Sequence, residues 1–147
     1  MKEIITEIKI NAPASSVWSI LTDFQRFPEW NPFISEALGQ IKEGAQLKIR
    51  IEPPNSNGMT FKPTLTRIKQ ENELRWLGRF LIPGIFDGEH IFELESITEN
   101  EIRFVHREKF KGLLVPFLWK SINKNTRQGF EEMNDALKKR AEQQEKY

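Results

Sequence analysis

The chain contains no cysteine, which excludes a disulfide framework and a thiolate nucleophile and fits a reducing, cytoplasmic setting. Charge of one sign is not in excess. With 22 Lys and Arg against 21 Asp and Glu the net charge is +1, which gives no electrostatic ground for binding nucleic acid. Long apolar runs are also missing. The longest, GLLVPFLW at 112–119, falls far short of the roughly 20 residues of a membrane span, and the opening MKEIITEIKI lacks the apolar stretch of a signal peptide. No phosphate loop, nucleotide fingerprint, Ser-His-Asp order, internal repeat or low-complexity tract is present. The charged end KKRAEQQEKY reads as a fraying helix terminus.

Aromatic side chains dominate what is there. Eleven Phe, four Trp and one Tyr stand among 147 residues, a length expected to form one domain with a substantial core. The stretch FPEWNPFI at 27–34 gathers three aromatic rings and two prolines. Pro28 and Pro32 lack a backbone donor and disfavour helix in the residue before each, yet the segment is too apolar for an ordinary solvated loop. Its rings must cover something.

Residues 3–10 read as a strand with Ile4, Thr6, Ile8 and Ile10 on one face. A helix follows Pro13, with Val17, Ile20, Leu21 and Phe24 as its apolar stripe, and the Pro-aromatic segment ends it with room for one more short turn. The spacing then predicts strands at 34–41, 46–53, 59–70, 73–80, 86–97 and 101–110, separated by turn signals such as PPNSNG and IPG. Short turns between successive strands imply an antiparallel meander with one wet face. Residues 112 to about 143 read as one long helix with Leu118, Ile122, Thr126, Phe130, Met133 and Leu137 at helical spacing. Gly129 is a weak point in its interior. The expected fold is α+β: a curved seven-stranded antiparallel sheet wrapped around a long C-terminal helix, with two short helices after the first strand. A sheet gripping a helix leaves a concave apolar space suited to a small ligand.

Several stretches resemble the START-like, helix-grip superfamily, which includes polyketide cyclases and aromatases, the birch-pollen-allergen family and lipid-transfer START domains. They are INAPASSVWSILTDFQRFPEWNPFI near the start, GEHIFELESI and RFVHREKFKGLLVPF late, and RQGFEEMNDALKKRAE in the last helix; the later ones resemble a bacterial polyketide cyclase-like branch. The resemblance implies that the segment after the first helix covers one end of a cavity, which makes Trp30 and Phe33 lid or wall residues. The plainer alternative is that they plug a corner of the core.

The last two strands carry the polar residues of interest. Phe86, His90, Phe92 and Leu94 share a face, as do Ile102, Phe104, His106, Glu108 and Phe110. Charge on the opposite faces favours a register pairing Glu93 with Arg103, Glu89 with Arg107 and Asp87 with Lys109. That register sets Phe92 against Phe104 and His90 against His106; a slip of two sets His90 opposite Glu108. A slip of one would turn the Phe residues outward. Either way the only two histidines converge with one glutamate on an aromatic face, where an unpaired carboxylate is costly. The cluster is a satisfied core group, a polar anchor in a ligand cavity, or an acid–base pair; a metal triad is the remotest reading. Phe61 and Trp76 lie on the same dry face as cavity wall or plain core. GLLVPFLW is the apolar start of the helix, or touches a membrane while a lipid is handed over.

The expected activity is binding of an apolar or aromatic small molecule, lipid or polyketide-like, by Trp30, Phe33, Phe61, Trp76, His90, Phe92, Phe104, His106 and Glu108. No cofactor or metal, no nucleic acid and no stable membrane insertion is expected. The alternatives are a cyclase or dehydratase moving protons with His90, His106 or Glu108, and an adaptor that regulates a protein partner.

Overall fold

A computed structural model describes residues 1–80 and 82–144. Eight strands form two hydrogen-bonded ladders. Five strands, β1 (Lys2–Ile10), β8 (Glu101–Lys111), β7 (Phe86–Thr98), β6 (Glu73–Phe80) and β5 (Thr64–Lys69), lie side by side in that order, and β2 (Ile34–Leu38), β3 (Lys48–Ile51) and β4 (Met59–Phe61) form the second ladder. All pairs are antiparallel. Helix α1 (Ala14–Thr22), a 3-10 turn (Phe24–Arg26) and the single-turn α2 (Phe27–Trp30) follow β1, and the long α3 (Val115–Gln144) closes the chain. This is the helix-grip architecture.

The expected strand 59–70 is two strands, which raises the count to eight. Pro63 has no N–H to give a ladder; its carbonyl instead accepts from Leu47 N at 2.7 Å, and Gln46 bridges Thr64, so the two ladders meet at this break. Helix α3 begins at Val115 rather than 112 because Gly112, at φ +136°, turns the chain sharply out of β8. The expected fraying at the helix end falls partly on 145–147, outside the described residues. A bulge between Leu65 and Arg67 turns Arg67 outward, where it pairs with Glu73 at 2.8 Å.

The register of β7 and β8 differs from the charge-based expectation by two residues. His90 faces Glu108, Phe92 faces His106 and Leu94 faces Phe104. Opposite charges do not discriminate the two registers, because the observed one also sets Asp87 against Lys111, Glu89 against Lys109 and Glu95 against Arg103. Arg107, which it places opposite Ile91, reaches Glu93 at 2.5 Å and Glu3 at 3.3 Å on the outer face.

The stripe of α3 divides into two halves that meet different surroundings. Phe130, Met133, Leu137 and Ala141 are buried against the five-stranded sheet and α1, while no residue between Val115 and Gly129 is buried. The first half of the helix therefore stands off the sheet and the second half packs onto it. The free edge of β1 is covered by the same helix: Arg127 donates to the carbonyl of Ile5 at 3.1 Å and Lys138 to that of Lys9 at 3.0 Å. That coverage blocks a hazard of exposed sheet edges.

Gly129 marks the pivot. A Cβ there would overlap the ring of Phe33, which packs directly on the helix backbone and stands edge-on to Phe130 at 5.4 Å. Gly129→Ala is accordingly expected to lower stability by about 1–2 kcal/mol, since overpacking outweighs the better helix propensity of Ala. Urea unfolding measures it, and an unchanged or raised midpoint would show that Phe33 moves aside freely.

Candidate functional site

Where α3 stands off the sheet lies a cavity of about 240 Å³, just below the usual range of about 300–1,000 Å³ for small-ligand pockets. Ile49, Ile51 and Phe61 wall it from the three-stranded ladder, with Phe33 from the turn just before β2; Trp76, Phe86, His90, Glu108 and Phe110 from the five-stranded one; Leu118, Ile122 and Thr126 from α3. Three members of the predicted helix stripe thus face a cavity rather than core.

Of the residues singled out in the sequence, Phe33, Phe61, Trp76, His90 and Glu108 meet at this cavity. Trp30 does not line it. The side-chain oxygen of Asn31 accepts from the backbone of Phe33 and Ile34 at 3.0 and 2.8 Å. That turn sends Phe33 inward and leaves Trp30 against Phe27, bordering a separate groove with Asp23, Arg26 and Arg140. Phe92, Phe104 and His106 are also absent from the wall. The observed register carries them deeper, to where Phe130 comes down on the sheet, and all three are fully buried. Phe130 stacks on His106 with ring centroids 3.8 Å apart.

His106 nevertheless reaches the cavity through a hydrogen-bonded chain. Thr6 donates its hydroxyl to the backbone carbonyl of His106 at 2.9 Å. Its oxygen is then free to accept from the Asn134 amide nitrogen, also at 2.9 Å. With its amide so oriented, Asn134 presents Oδ1 to Nδ1 of His106 at 2.9 Å. His106 must therefore carry its proton on Nδ1 and offer the lone pair of Nε2. Nε2 of His90 lies 2.7 Å from that atom and donates to it. The remaining ring nitrogen, Nδ1 of His90, is then an acceptor that faces Glu108 Oε1 at 3.6 Å. A neutral pair needs one hydrogen per shared contact, and this chain supplies it at every link.

Burial sets the charge states. It holds His106 down at about 3 against the opposing effect of the hydrogen bond that His106 donates to Asn134. It also holds His90 well below the ordinary imidazole value, with the adjacent His106 adding to the effect. Burial pushes Glu108 up to about 8, although its side chain retains 18% exposure at the cavity. At neutral pH the cavity thus contains a protonated carboxylic acid, a donor, next to an imidazole lone pair, an acceptor. Gly88, diagonal to Glu108 on β7, makes the space: a Cβ there would press on Oε2 of Glu108.

Two of the links were not singled out in the sequence. Asn134 lies four residues after Phe130 and beside Met133, so a polar residue on the apolar stripe was the available signal. Thr6 stood on the inward face of β1 among isoleucines. A metal triad does not form, because the two imidazoles spend their facing nitrogens on each other; among the described residues, no group of His, Asp or Glu is placed to hold a metal ion.

The fold and cavity define a helix-grip protein with an apolar interior and a polar end. The sequence belongs to the family described as polyketide cyclase / dehydrase and lipid transport, whose model matches residues 1–142. A search of curated proteins finds no match. Among solved structures, the fold is shared with a START superfamily protein from Mycobacterium smegmatis, at 19% identity, covering 96% of this chain and 97% of that one with a TM-score of 0.76. It is shared equally with norcoclaurine synthase from Thalictrum flavum, at 12% identity, 98% and 96% coverage and a TM-score of 0.75. The Zhui aromatase/cyclase from a Streptomyces species matches at 12% identity, 96% and 93% coverage and a TM-score of 0.75.

Proposed function

We propose that this protein binds an uncharged apolar or aromatic small molecule in the cavity between the sheet and α3, with Glu108 and His90 holding its polar group. One observation carries the reading: a largely apolar space, with Ser56, Ser121, Asn125 and Thr126 as its other polar lining, contains a neutral acid and an imidazole acceptor whose tautomer is fixed from behind by His106, Asn134 and Thr6. A hydroxyl or enol of the ligand can accept from the Glu108 acid and donate to His90 Nδ1. A carboxylate there would meet a lone pair and a low-dielectric wall, so anions are disfavoured. Family membership supports a small hydrophobic ligand.

Native mass spectrometry of the protein purified from its own host, followed by denaturing extraction, identifies the ligand. A stoichiometric neutral compound with an apolar skeleton is the expected result. With that compound in hand, Glu108→Leu and His90→Leu should each weaken affinity about 10- to 100-fold, the worth of one or two desolvated hydrogen bonds. Loss of folding without a separate loss of affinity would overturn the anchoring role.

A second reading is favoured by the adjacency of acid and base. With Glu108 as proton donor and His90 as acceptor, the same pair is equipped for general acid–base catalysis on a carbonyl compound, in a cyclase or dehydratase-type step. It predicts that His90→Leu abolishes turnover of a bound enone or polyketide-like substrate. Retained turnover in that variant would exclude it.

A further inference from the structure

Among the described residues, six of the twelve exposed large apolar side chains gather at one end. Phe117 is 84% exposed, Leu113 73% and Ile82 62%; Phe80, Leu114 and Leu118 are exposed beside them. Leu113 N and Leu114 N donate to the carbonyls of Gly84 and Ile85 at 3.0 and 3.1 Å, which ties the turn after β6 to the start of α3 and makes one surface of the two segments. Phe80, Leu114 and Leu118 also line the cavity, so the patch is its rim. Single exposed apolar residues need no explanation, but a contiguous group of this size does.

The charge along the end of β8 and the first half of α3 is basic. Residues 109–130 contain Lys109, Lys111, Lys120, Lys124 and Arg127 and no Asp or Glu. Lys111, Lys120 and Lys124 are exposed. Lys2 lies over the ring of Trp119, 5.7 Å from its centroid, on the same end. On the adjoining strands Asp87 faces Lys111 and accepts from Gly84 N at 3.3 Å, and Glu89 and Glu3 face Lys109, which leaves the exposed Lys111, Lys120 and Lys124 as the cations nearest the tip. A chain of net charge +1 thus carries a locally basic end with projecting Leu and Phe side chains at its tip.

We infer that this rim docks on the surface of an anionic bilayer, with Leu113 and Phe117 entering the interface and the flanking lysines facing lipid headgroups. Projecting apolar side chains flanked by exposed lysines suit a deformable, anionic, apolar phase, where aliphatic and aromatic groups partition and each cation near the surface adds to the affinity. Among the described residues no helix is long and apolar enough to cross a membrane, so the association is peripheral and reversible. It places the mouth of the cavity against the phase in which an apolar ligand dissolves. The docking itself requires no ligand in the cavity.

The absence of cysteine makes the test direct. Leu113→Cys, labelled with an environment-sensitive NBD dye, gives one probe at the rim. Asn100→Cys in the β7–β8 turn, at the other end of those strands, gives the control. Vesicles of 30% phosphatidylglycerol in phosphatidylcholine are expected to blue-shift and brighten the rim probe and leave the control unchanged, with the response lost in high salt. In co-sedimentation of the unlabelled protein, Leu113→Ser with Phe117→Ser, and separately Lys111→Glu with Lys120→Glu, should each reduce the partition coefficient at least tenfold. These positions are exposed, so circular dichroism and thermal unfolding should match the parent. The inference is overturned by equal responses from both probes, by undiminished partition of both double variants, or by no partition at all. The last result would assign the patch to a protein partner.

Discussion

Glu108→Gln is expected to raise stability by about 3 kcal/mol at pH 8 and to remove the fall in stability that the parent shows on the alkaline side. The sign follows from linkage. The folded state holds the Glu108 proton up to about 8, whereas an unfolded glutamate releases it near 4.5. The contribution of that proton is complete below 4.5 and is lost as pH rises to about 8. The histidines run the other way. Burial lowers both, so their contribution is complete above the ordinary imidazole value near 6.5 and is lost as pH falls towards about 3. Stability of the parent should therefore peak near pH 6.5. At full separation the Glu108 shift is worth at most about 5 kcal/mol. Partial access of water to the carboxyl, and the cost of burying an amide, reduce the gain to about 3, or roughly 10 °C in Tm for a chain of this size. Thermal unfolding of the two proteins from pH 5 to 9 checks it. Parallel curves would mean that Glu108 titrates as an ordinary surface carboxylate and is no donor to a ligand at neutral pH.

The same group explains why part of the site was legible in the sequence and part was not. Parity along β7 and β8 is set by burial of alternate residues, so the convergence of His90, His106 and Glu108 on one face could be read from the pattern alone. Their order along the cavity could not. A shift of two residues keeps parity and keeps three opposite-charge pairs; the observed register goes with the two-residue turn at 99–100 and the bulge between Ser96 and Thr98, and it is the one in which Phe130 stacks on His106. The grip of sheet on helix was legible in the order of elements and in the resemblance. The division of the α3 stripe into a cavity half and a core half was not, because Leu118 and Leu137 look alike in a periodic pattern. Gly129 read as a defect in the helix; it is the place where Phe33 needs room. Trp30 was misplaced for a local reason. Whether a ring faces in or out after α2 depends on the Asn31 turn, and sequence spacing does not reveal the direction of so short an element.

Asn134→Leu is expected to cost about 2–4 kcal/mol and to scramble the ring tautomers at the cavity, although Asn134 does not line the cavity wall. The substitution leaves Nδ1–H of His106 buried with no acceptor, an orphaned donor of the kind that costs about 1–3 kcal/mol, and deprives Thr6 Oγ1 of its donor. His106 can escape part of this cost by moving its proton to Nε2. It would then donate to His90 Nε2, and His90 in turn would carry its proton on Nδ1, facing Glu108. The cavity would lose its acceptor and gain a second donor. A ligand hydroxyl that donates to His90 would lose its partner, so affinity should fall even in the fraction that remains folded. With only two histidines in the chain, long-range proton–nitrogen NMR of the imidazoles reads the change ring by ring. The parent should show His106 protonated at Nδ1 and His90 at Nε2, and the variant a mixture or an inversion. Thr6→Val offers a milder version, since it removes the group that holds the Asn134 amide in orientation while leaving Oδ1 able to accept. Its stability loss should be smaller and should not add to that of Asn134→Leu, because both act on one chain of bonds. Unchanged tautomers together with additive losses would show that the cluster is a set of separate contacts and not a device that fixes the acceptor presented to a ligand.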